Sequence, residues 1–482
     1  MPVSTSIIEQ SPLYSVLPVG QEIILVVSNN DAVANESKVK FIAEVHVSAE
    51  QPPVLGTTAN LIGTFKTTPN NAGVGIFDFR NILENYVKAD SLAADGSSYK
   101  TTATSSSTRH PMHLIDKYST NQNTLRFMAI RFAVEYLGAT DNAGNQSDNI
   151  VRTQAGTERD SINYSIFNGY LKYADILTMG IGAAINNFGF TLTEFFPSSS
   201  ARKFLTNAPT TQYANLEDYG TLAYLVDPQA IGFSNIVTKI VLTYYKNDGS
   251  GTVTEDVDRT FANGAFDGWT ARTKKGLYFF GCYPGNLQNW SSTFNALVTA
   301  GTIQGSYYTV QAAGLAGSKT QLYTINVNCP NQKNYESIRL CWLNQWGAWD
   351  YYTFTKKSTK SLSTKGSTYT QLEGTWNESV YRLDGFKGGK KSFRVNANEK
   401  ISMNTNFVSE DDNVMFEELI NSPEVYLLEG YQTDASRSAL NQYVTPVRLT
   451  TSKFTTKTIA NNKLMQYSFE IEKSKTLRTQ SI

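Results

Sequence analysis

Three histidines are the first candidates for catalysis, because an imidazole held between a nucleophile and an acid can drive acyl transfer. His46 lies in the middle of a predicted strand, whereas His110 and His113 flank Pro111–Met112 just after a low-complexity segment. The chain contains no Gly-x-Ser-x-Gly motif that would present a serine nucleophile. A loop role for His110 and His113 is therefore favoured over a role as general bases or metal ligands.

Carboxylates are the second candidates, since glycoside hydrolysis needs two carboxyl groups about 5–10 Å apart in a cleft. The dense acidic run Glu410–Asp412 is better explained as the first turn of a helix, where carboxylates complement the helix dipole. The segment Asp141–Asn149 offers oxygen ligands for calcium but lacks the spacing of an EF-hand loop. We therefore expect no enzyme activity, no cofactor and no metal site.

The cysteines and the basic residues point to no further chemistry. Cys282, Cys329 and Cys341 are too few and too irregularly spaced for a disulfide framework or a zinc site, so buried free thiols are expected. The 42 basic residues balance the 42 acidic ones, and pairs such as Lys390–Lys391 form no basic stripe with interleaved aromatics. The sequence therefore predicts neither nucleic-acid binding nor attraction to an anionic membrane.

A cluster of aromatic residues is the most informative feature of the chain. Three of the six tryptophans fall within the eight residues that end at Trp349. The residues Ile338–Leu343 alternate as on a partly buried strand, Asn344–Ala348 supply a turn, and Trp349–Phe354 read as the returning strand. The pattern predicts an aromatic β-hairpin at 337–356.

Such a hairpin is a device for packing or for contact between proteins, because tryptophan buries a large area at a small entropic cost. Packing in a core or interface is favoured over stacking of a sugar ring on an exposed tryptophan. Alternation directs Trp342 inward, while Trp346 in the turn is expected to be exposed. The candidate interface residues are Trp342, Trp346, Trp349, Tyr351 and Tyr352.

The composition, the first residues and the longest apolar run indicate which class of protein this is. Charged residues make up only 17% and aromatic residues 12%, which is typical of β-rich extracellular or virion proteins. The first fifteen residues lack the basic and apolar regions of a signal peptide. The longest apolar run, Ile176–Ile185, is too short to span a bilayer, so no membrane insertion and synthesis in the cytoplasm are expected.

Strand signals at regular spacing predict a mostly β, multidomain, β-sandwich-like architecture with a few short helices. We predict an N-terminal β-rich domain with long polar loops at 1–200 and a central β-sandwich-like domain with the aromatic hairpin at 201–360. An α+β or β domain follows at 361–482, after the Ser-, Thr- and Lys-rich stretch Ser358–Thr370. One clear helix is predicted at Ser409–Asn421, with Ser409 as its N-cap.

Several segments together resemble virion structural proteins of tailed bacteriophages, with the nearest likeness in short-tailed crAss-like phages. These segments are GVGIFDFRNILENYV (Gly73–Val87), Phe204–Leu225, IRLCWLNQWGAWDYYTF (Ile338–Phe354), MFEELINSPEVYLLEG (Met415–Gly430) and Pro446–Gln480. The resemblance implies a role in the neck, tail or tail tip, in many symmetric copies within the virion. It carries over no catalytic residue.

The expected function is that of a structural subunit of a phage tail or neck, made in the host cytoplasm and assembled into a homo-oligomeric ring. Its partners would be further copies of itself and other phage virion proteins. One alternative is a receptor-binding tail adhesin whose partner is a host surface glycan. Two weaker alternatives are a polysaccharide depolymerase and a surface carbohydrate-binding protein of a gut bacterium, the latter disfavoured by the absence of a signal peptide.

Overall fold

The structure is a computed structural model, and every structural statement below concerns the residues that it describes. The described ranges are 3–12, 15–49, 52–89, 112, 118–120, 123–139, 151–153, 155–172, 195, 197, 199–225, 237–258, 277–329, 335–375, 378–429, 444–458 and 464–478. The predicted low-complexity segment, His110, His113, Asp141–Asn149 and Ile176–Ile185 lie outside these ranges.

The described residues form 27 strands and five short helices in several sheets, which confirms the mostly β, multidomain, sandwich-like fold class. The strands of the first third are β1 (Ile7–Gln10), β2 (Val16–Pro18), β3 (Ile24–Ser28), β4 (Lys40–Ser48), β5 (Leu61–Thr67), β6 (Val74–Asp78), β7 (Tyr118–Thr120), β8 (Leu125–Leu137), β9 (Val151–Thr153), β10 (Arg159–Asp160) and β11 (Tyr164–Phe167). The helices here are α1 (Asn30–Asn35) and α2 (Arg80–Leu83).

Two N-terminal sheets pack around one core. One has the order β1-β3-β6, and the other has the order β2-β11-β8-β4-β5 with β9 and β10 also paired to β8. Phe41, Ala43 and Val45 of β4 are fully buried in this core. Phe77 of β6 contacts Phe132 of β8 across it, with ring centroids 5.7 Å apart. Burial of these apolar rings is the main force that holds the two sheets together.

The central region contains β12 (Thr211–Ala214), β13 (Thr221–Leu225), β14 (Lys239–Tyr245), β15 (Thr252–Asp258), β16 (Leu277–Gly281), β17 (Tyr307–Gly314), β18 (Gly317–Ser318) and β19 (Tyr323–Val327), with helices α3 (Pro284–Trp290) and α4 (Ser292–Thr299). One sheet has the order β12-β19-β17-β14-β15 with β18 paired to β17, and the other has the order β13-β16-β7. The turn at Lys246–Gly251 joins β14 to β15 as an antiparallel hairpin. The two helices were not predicted from the sequence.

The C-terminal region contains β20 (Ile338–Leu343), β21 (Trp349–Phe354), β22 (Thr359–Gln371), β23 (Gly389–Asn404), α5 (Asp412–Asn421), β24 (Val425–Leu428), β25 (Val444–Leu449), β26 (Ser468–Lys473) and β27 (Leu477–Arg478). These strands form one eight-stranded sheet of order β21-β20-β24-β25-β26-β23-β22, with β27 paired to β23. Helix α5 covers this sheet through Met415, Phe416 and Leu419, which are buried in its core.

The predicted domain boundaries at residues 200 and 360 stay predictions. However, one sheet contains strands from both sides of residue 200, and another contains strands from both sides of residue 360. Strand β7 pairs with β16 of the central region, and β20 of the aromatic hairpin pairs with β24. The stretch Ser358–Thr370 is mostly strand β22 rather than a linker, because β23 supplies its hydrogen-bonding partner.

The start of the C-terminal helix also differs from the prediction. Helix α5 begins at Asp412 with Asp411 in the N-cap position, so the prediction of Ser409 as N-cap is wrong. Ser409 instead donates hydrogen bonds from its backbone N–H and its hydroxyl to the Asp412 carboxylate, at 2.9 and 3.0 Å. The acidic run therefore lies at the start of the helix, as expected. The hydrogen-bond acceptor there is the Asp412 carboxylate, whereas the Ser409 hydroxyl was expected to be the acceptor.

Candidate functional site

The aromatic hairpin formed by β20 and β21 is a wall between two hydrophobic cores. Ile338, Leu340 and Trp342 enter the core of the C-terminal sheet, as alternation predicts, while Cys341 and Leu343 enter the core of the central region. All six residues of β20 are buried, so the prediction of a partly buried strand is wrong. Both faces of β20 are buried in a hydrophobic core, because the central region covers the face that would otherwise be exposed to solvent.

The candidate interface residues divide between the same two cores. Trp346, Trp349 and Tyr351 lie in the central core, and Tyr352 packs at the edge of the C-terminal core with its ring 5.0 Å from that of Phe416. The expected exposure of Trp346 is wrong, because its side chain is fully buried with its ring centroid 4.7 Å from that of Phe195. The interface role of these residues stays a prediction, and within one copy they act as core.

The turn of the hairpin is fixed by Asn344. Its Oδ1 accepts hydrogen bonds from the backbone N–H groups of Trp346 and Ala348, both at 3.0 Å, and its Nδ2 donates to the carbonyl of Leu205 at 3.0 Å. Gly347 has a φ of +76°, and a Cβ there would lie 2.3 Å from the Asn168 carbonyl oxygen. The turn is thus shaped by its own asparagine and is pressed against the N-terminal region.

Two buried carboxyl groups meet behind this turn. Asp350 of β21 and Glu418 of α5 are 3% and 4% exposed, and within the described ranges Asp350 Oδ2 and Glu418 Oε2 accept no hydrogen bond. The Thr206 hydroxyl donates to Asp350 at 2.5 Å, and the Asn207 amide donates to Glu418 at 2.7 Å. Two ionised carboxylates have only acceptor atoms and repel each other in a buried site, which favours a proton on one of them.

The pair titrates well above the ordinary carboxylate range. Burial, together with the negative charge of Asp350, raises the pKa of Glu418 to about 8, although the hydrogen bond from Asn207 opposes the rise. Burial also raises the pKa of Asp350, against the hydrogen bonds that it accepts from Thr206 and Asn344. The pair therefore keeps one proton at neutral pH. Sequence reasoning assigned no site to Asp350 or Glu418, because the position of Glu418 on α5 has the same sequence pattern as that of a surface residue.

A second polar contact ties the hairpin to the central region through Arg339. Its Nη1 donates to the Thr353 hydroxyl at 2.7 Å and lies 3.4 Å from Asp218 Oδ2, while its Nε donates to the Tyr219 carbonyl at 2.8 Å. The guanidinium also lies over the rings of Tyr283 and Tyr351, 4.6 and 5.1 Å from their centroids. This buried cation is paired and stacked on several sides, which is the condition for burying a charge.

A cleft of about 520 Å³ opens where the hairpin turn, the end of α5 and the N-terminal region meet. Leu343 and Pro423 supply apolar surface, and Tyr170 stands at its side with 58% of its surface exposed. Glu84, Glu417 and Glu418 line it together with a single lysine, Lys172, which lies 3.3 Å from Glu417.

A long β-ribbon leaves the C-terminal sheet at its other edge. From residue 389 to 395, strand β23 pairs only with β22 within the described ranges, whereas further along it also pairs with β26 and β27. We call the described residues 366–375 and 378–395 the arm, and residues 372–375 and 378–388, which lie between the two strands, the arm tip. A two-stranded ribbon alone is marginally stable in water, so a partner would add to its stability.

The arm tip is ordered by its own hydrogen bonds but turns apolar side chains outward. Thr375 N–H donates to the Arg382 carbonyl at 3.0 Å, and the Tyr381 hydroxyl donates to the Glu373 carbonyl at 2.9 Å. Tyr381, Leu383 and Phe386 are nevertheless 63%, 71% and 77% exposed. Sequence reasoning missed this surface, although its aromatic and aliphatic residues interrupt a polar stretch and could have signalled it.

The described ranges contain no group of three or more histidine, cysteine or acidic side chains placed to hold a metal ion. None of the described helices is long and apolar enough to cross a membrane. His46 is buried, with its Nδ1 3.1 Å from the Ala59 carbonyl oxygen. Cys282 and Cys341 are buried free thiols as expected, but Cys329 is exposed, so that part of the expectation is wrong.

No protein-family model and no curated protein matches this sequence. Among solved structures, the chain is similar to trypsin-activated alpha-2-macroglobulin from Escherichia coli, at 7% identity and a TM-score of 0.19, over 84% of this chain and 23% of that one. Salmonella alpha-2-macroglobulin reacted with methylamine gives 8% identity and a TM-score of 0.18, over 83% and 22%. The chain spans less than a quarter of the length of these proteins, and similarity at this level supports no inference about fold or function.

Proposed function

We propose that this chain is a structural subunit of a bacteriophage tail or neck that assembles in several symmetric copies. The observation that carries the proposal is the arm, whose tip exposes Tyr381, Leu383 and Phe386 together. Contiguous exposed apolar residues on an ordered scaffold mark a surface that another protein covers. The resemblance of five segments to phage virion proteins makes a copy of this chain or a neighbouring virion protein the natural partner.

The buried aromatic hairpin supports the same role in a different way. Because the hairpin places side chains in both the central core and the C-terminal core, we expect the two regions to transmit load between neighbours together. The paired carboxyl groups do not favour the depolymerase alternative. Asp350 and Glu418 are both buried, whereas glycoside hydrolysis needs carboxyl groups about 5–10 Å apart in a cleft with substrate between them.

The test is the mass of the purified full-length chain by size exclusion with light scattering, with negative-stain images of the same fractions. We expect particles of defined symmetry, and we expect the Leu383→Ser/Phe386→Ser double variant to remain monomeric. The matched control is Leu315→Ser, which replaces another exposed leucine, outside the arm, and should assemble normally. A stable trimer that binds host surface glycan would favour the adhesin instead.

A further inference from the structure

The cleft and the arm tip have complementary chemistry. The cleft offers an apolar floor at Leu343 and Pro423 with two exposed glutamates, Glu84 and Glu417, against one lysine around it, since Glu418 keeps its proton at neutral pH. The arm carries five basic residues against three acidic ones, while the whole chain is neutral. An apolar, basic projection and an apolar, acidic recess on the same chain favour contact between two copies.

The positive charge of the arm is available to a partner. Within the described part of the chain, Lys387 is paired with Asp384 at 2.7 Å, but Arg382, Lys390, Lys391 and Arg394 have no carboxylate within ion-pair distance. These cations lie on and beside the segment that exposes Leu383 and Phe386. A partner that buries the apolar residues would therefore bring carboxylates close to the cations at the same time.

We infer that the arm tip of one copy inserts into the cleft of the next copy. The inference rests on the proposed function, since it names the surfaces through which that assembly would form. The tip does not occupy the cleft of its own copy, because its three large apolar side chains remain mostly exposed. The cleft volume of about 520 Å³ lies in the range of sites that enclose a small ligand, which is room for a few side chains.

The proposed contact joins two different surfaces, so it is heterologous. A heterologous contact builds a closed ring when its rotation closes and a filament when it does not. The same contact would cover the free ribbon of the arm and the half-exposed ring of Tyr170. Each copy then uses its arm once and its cleft once, which leaves no unsatisfied end in a closed ring.

Cross-linking between two variants that each carry one exposed cysteine, beside the buried Cys282 and Cys341, tests the contact directly. In a Cys329→Ser background, which removes the exposed native thiol, one full-length variant carries Phe386→Cys and the other carries Tyr170→Cys. We expect a short bismaleimide to give a covalent dimer when the two variants are mixed, and little of it with either variant alone. Leu315→Cys in place of Tyr170→Cys is the control and should give no dimer.

A charge reversal in the cleft provides the second readout. Glu417→Lys should weaken assembly roughly tenfold or more, because it places a cation against the basic arm. The matched control is Glu336→Lys, since Glu336 is also an exposed glutamate paired with a lysine, Lys360, and should leave assembly unchanged. Particles that assemble without the specific cross-link overturn this inference but leave the proposed function standing. A chain that stays monomeric at all concentrations overturns both.

Discussion

Replacing Glu418 by glutamine tests whether the buried carboxyl pair holds a proton. The folded chain keeps that proton up to a pKa of about 8, whereas the ordinary value for a glutamate is near 4.5. The unfolded chain therefore releases a proton that the folded chain retains. Since the folded state binds more protons in this range, its stability is greatest below about pH 4.5 and falls as the pH rises to about 8.

The size of the effect follows from one proton. A difference of one bound proton changes the free energy of unfolding by up to about 1.4 kcal/mol per pH unit, so the loss between pH 5 and 8 is at most about 4 kcal/mol. In Glu418→Gln the amide nitrogen can donate to Asp350 at every pH, and the amide oxygen can still accept from Asn207. We expect the variant to lie within about 1 kcal/mol of the parent at pH 5 and to be more stable by about 2 kcal/mol or more at pH 8.

Urea unfolding followed by tryptophan fluorescence at pH values from 5 to 9 measures this, because Trp342 is buried and lies opposite Asp350 in the hairpin. The control is Glu417→Gln on the same helix, which removes an exposed ion pair with Lys172 and should change stability by less than about 1 kcal/mol at every pH. If parent and Glu418→Gln lose stability in parallel between pH 5 and 8, the shared proton is refuted.

Three further changes test the hairpin as a wall between two cores. Arg339→Met should lower the free energy of unfolding by about 3 kcal/mol or more, because it leaves Asp218 buried without its cation. Lys360→Met, which removes an exposed ion pair, is the control. An unfolding midpoint of Arg339→Met equal to that of the parent would contradict this prediction. Asn344→Ala should cost about 2 kcal/mol by freeing two buried backbone N–H groups, whereas Asn85→Ala on the surface should cost little in the same urea titration. Trp346→Ala should cost about 3–5 kcal/mol through the cavity it leaves beside Phe195, and a thermal midpoint like that of the parent would show that the side chain is not core.

The hairpin shows how much of a structure can be predicted from the alternation of apolar and polar residues in a sequence. The strands, the turn and the inward direction of Trp342 were predictable, because a period of two places Ile338, Leu340 and Trp342 on one face. The burial of the other face was not, since it depends on a second core that packs against it. Arg339 and Asp350 look like surface residues until their partners from distant segments, Asp218 and Glu418, are in place.

The arm was not predicted from the sequence, because its composition suggests a different structure. The Ser-, Thr- and Lys-rich composition of β22 is typical of a linker, and no local pattern reveals that residues 389–404 run beside it. Strand propensity depends on the neighbouring strand, which a single segment does not contain. The two helices of the central region were missed because they are short, seven and eight residues, and their apolar face is set by the sheet below them.

The mass of the full-length chain in solution, with negative-stain images of the same fractions, is the most direct test of the proposed assembly. The account predicts closed particles of defined symmetry that are lost in Leu383→Ser/Phe386→Ser and retained in Leu315→Ser. A monomer at every concentration, or particles that survive the loss of the apolar arm tip, would contradict it.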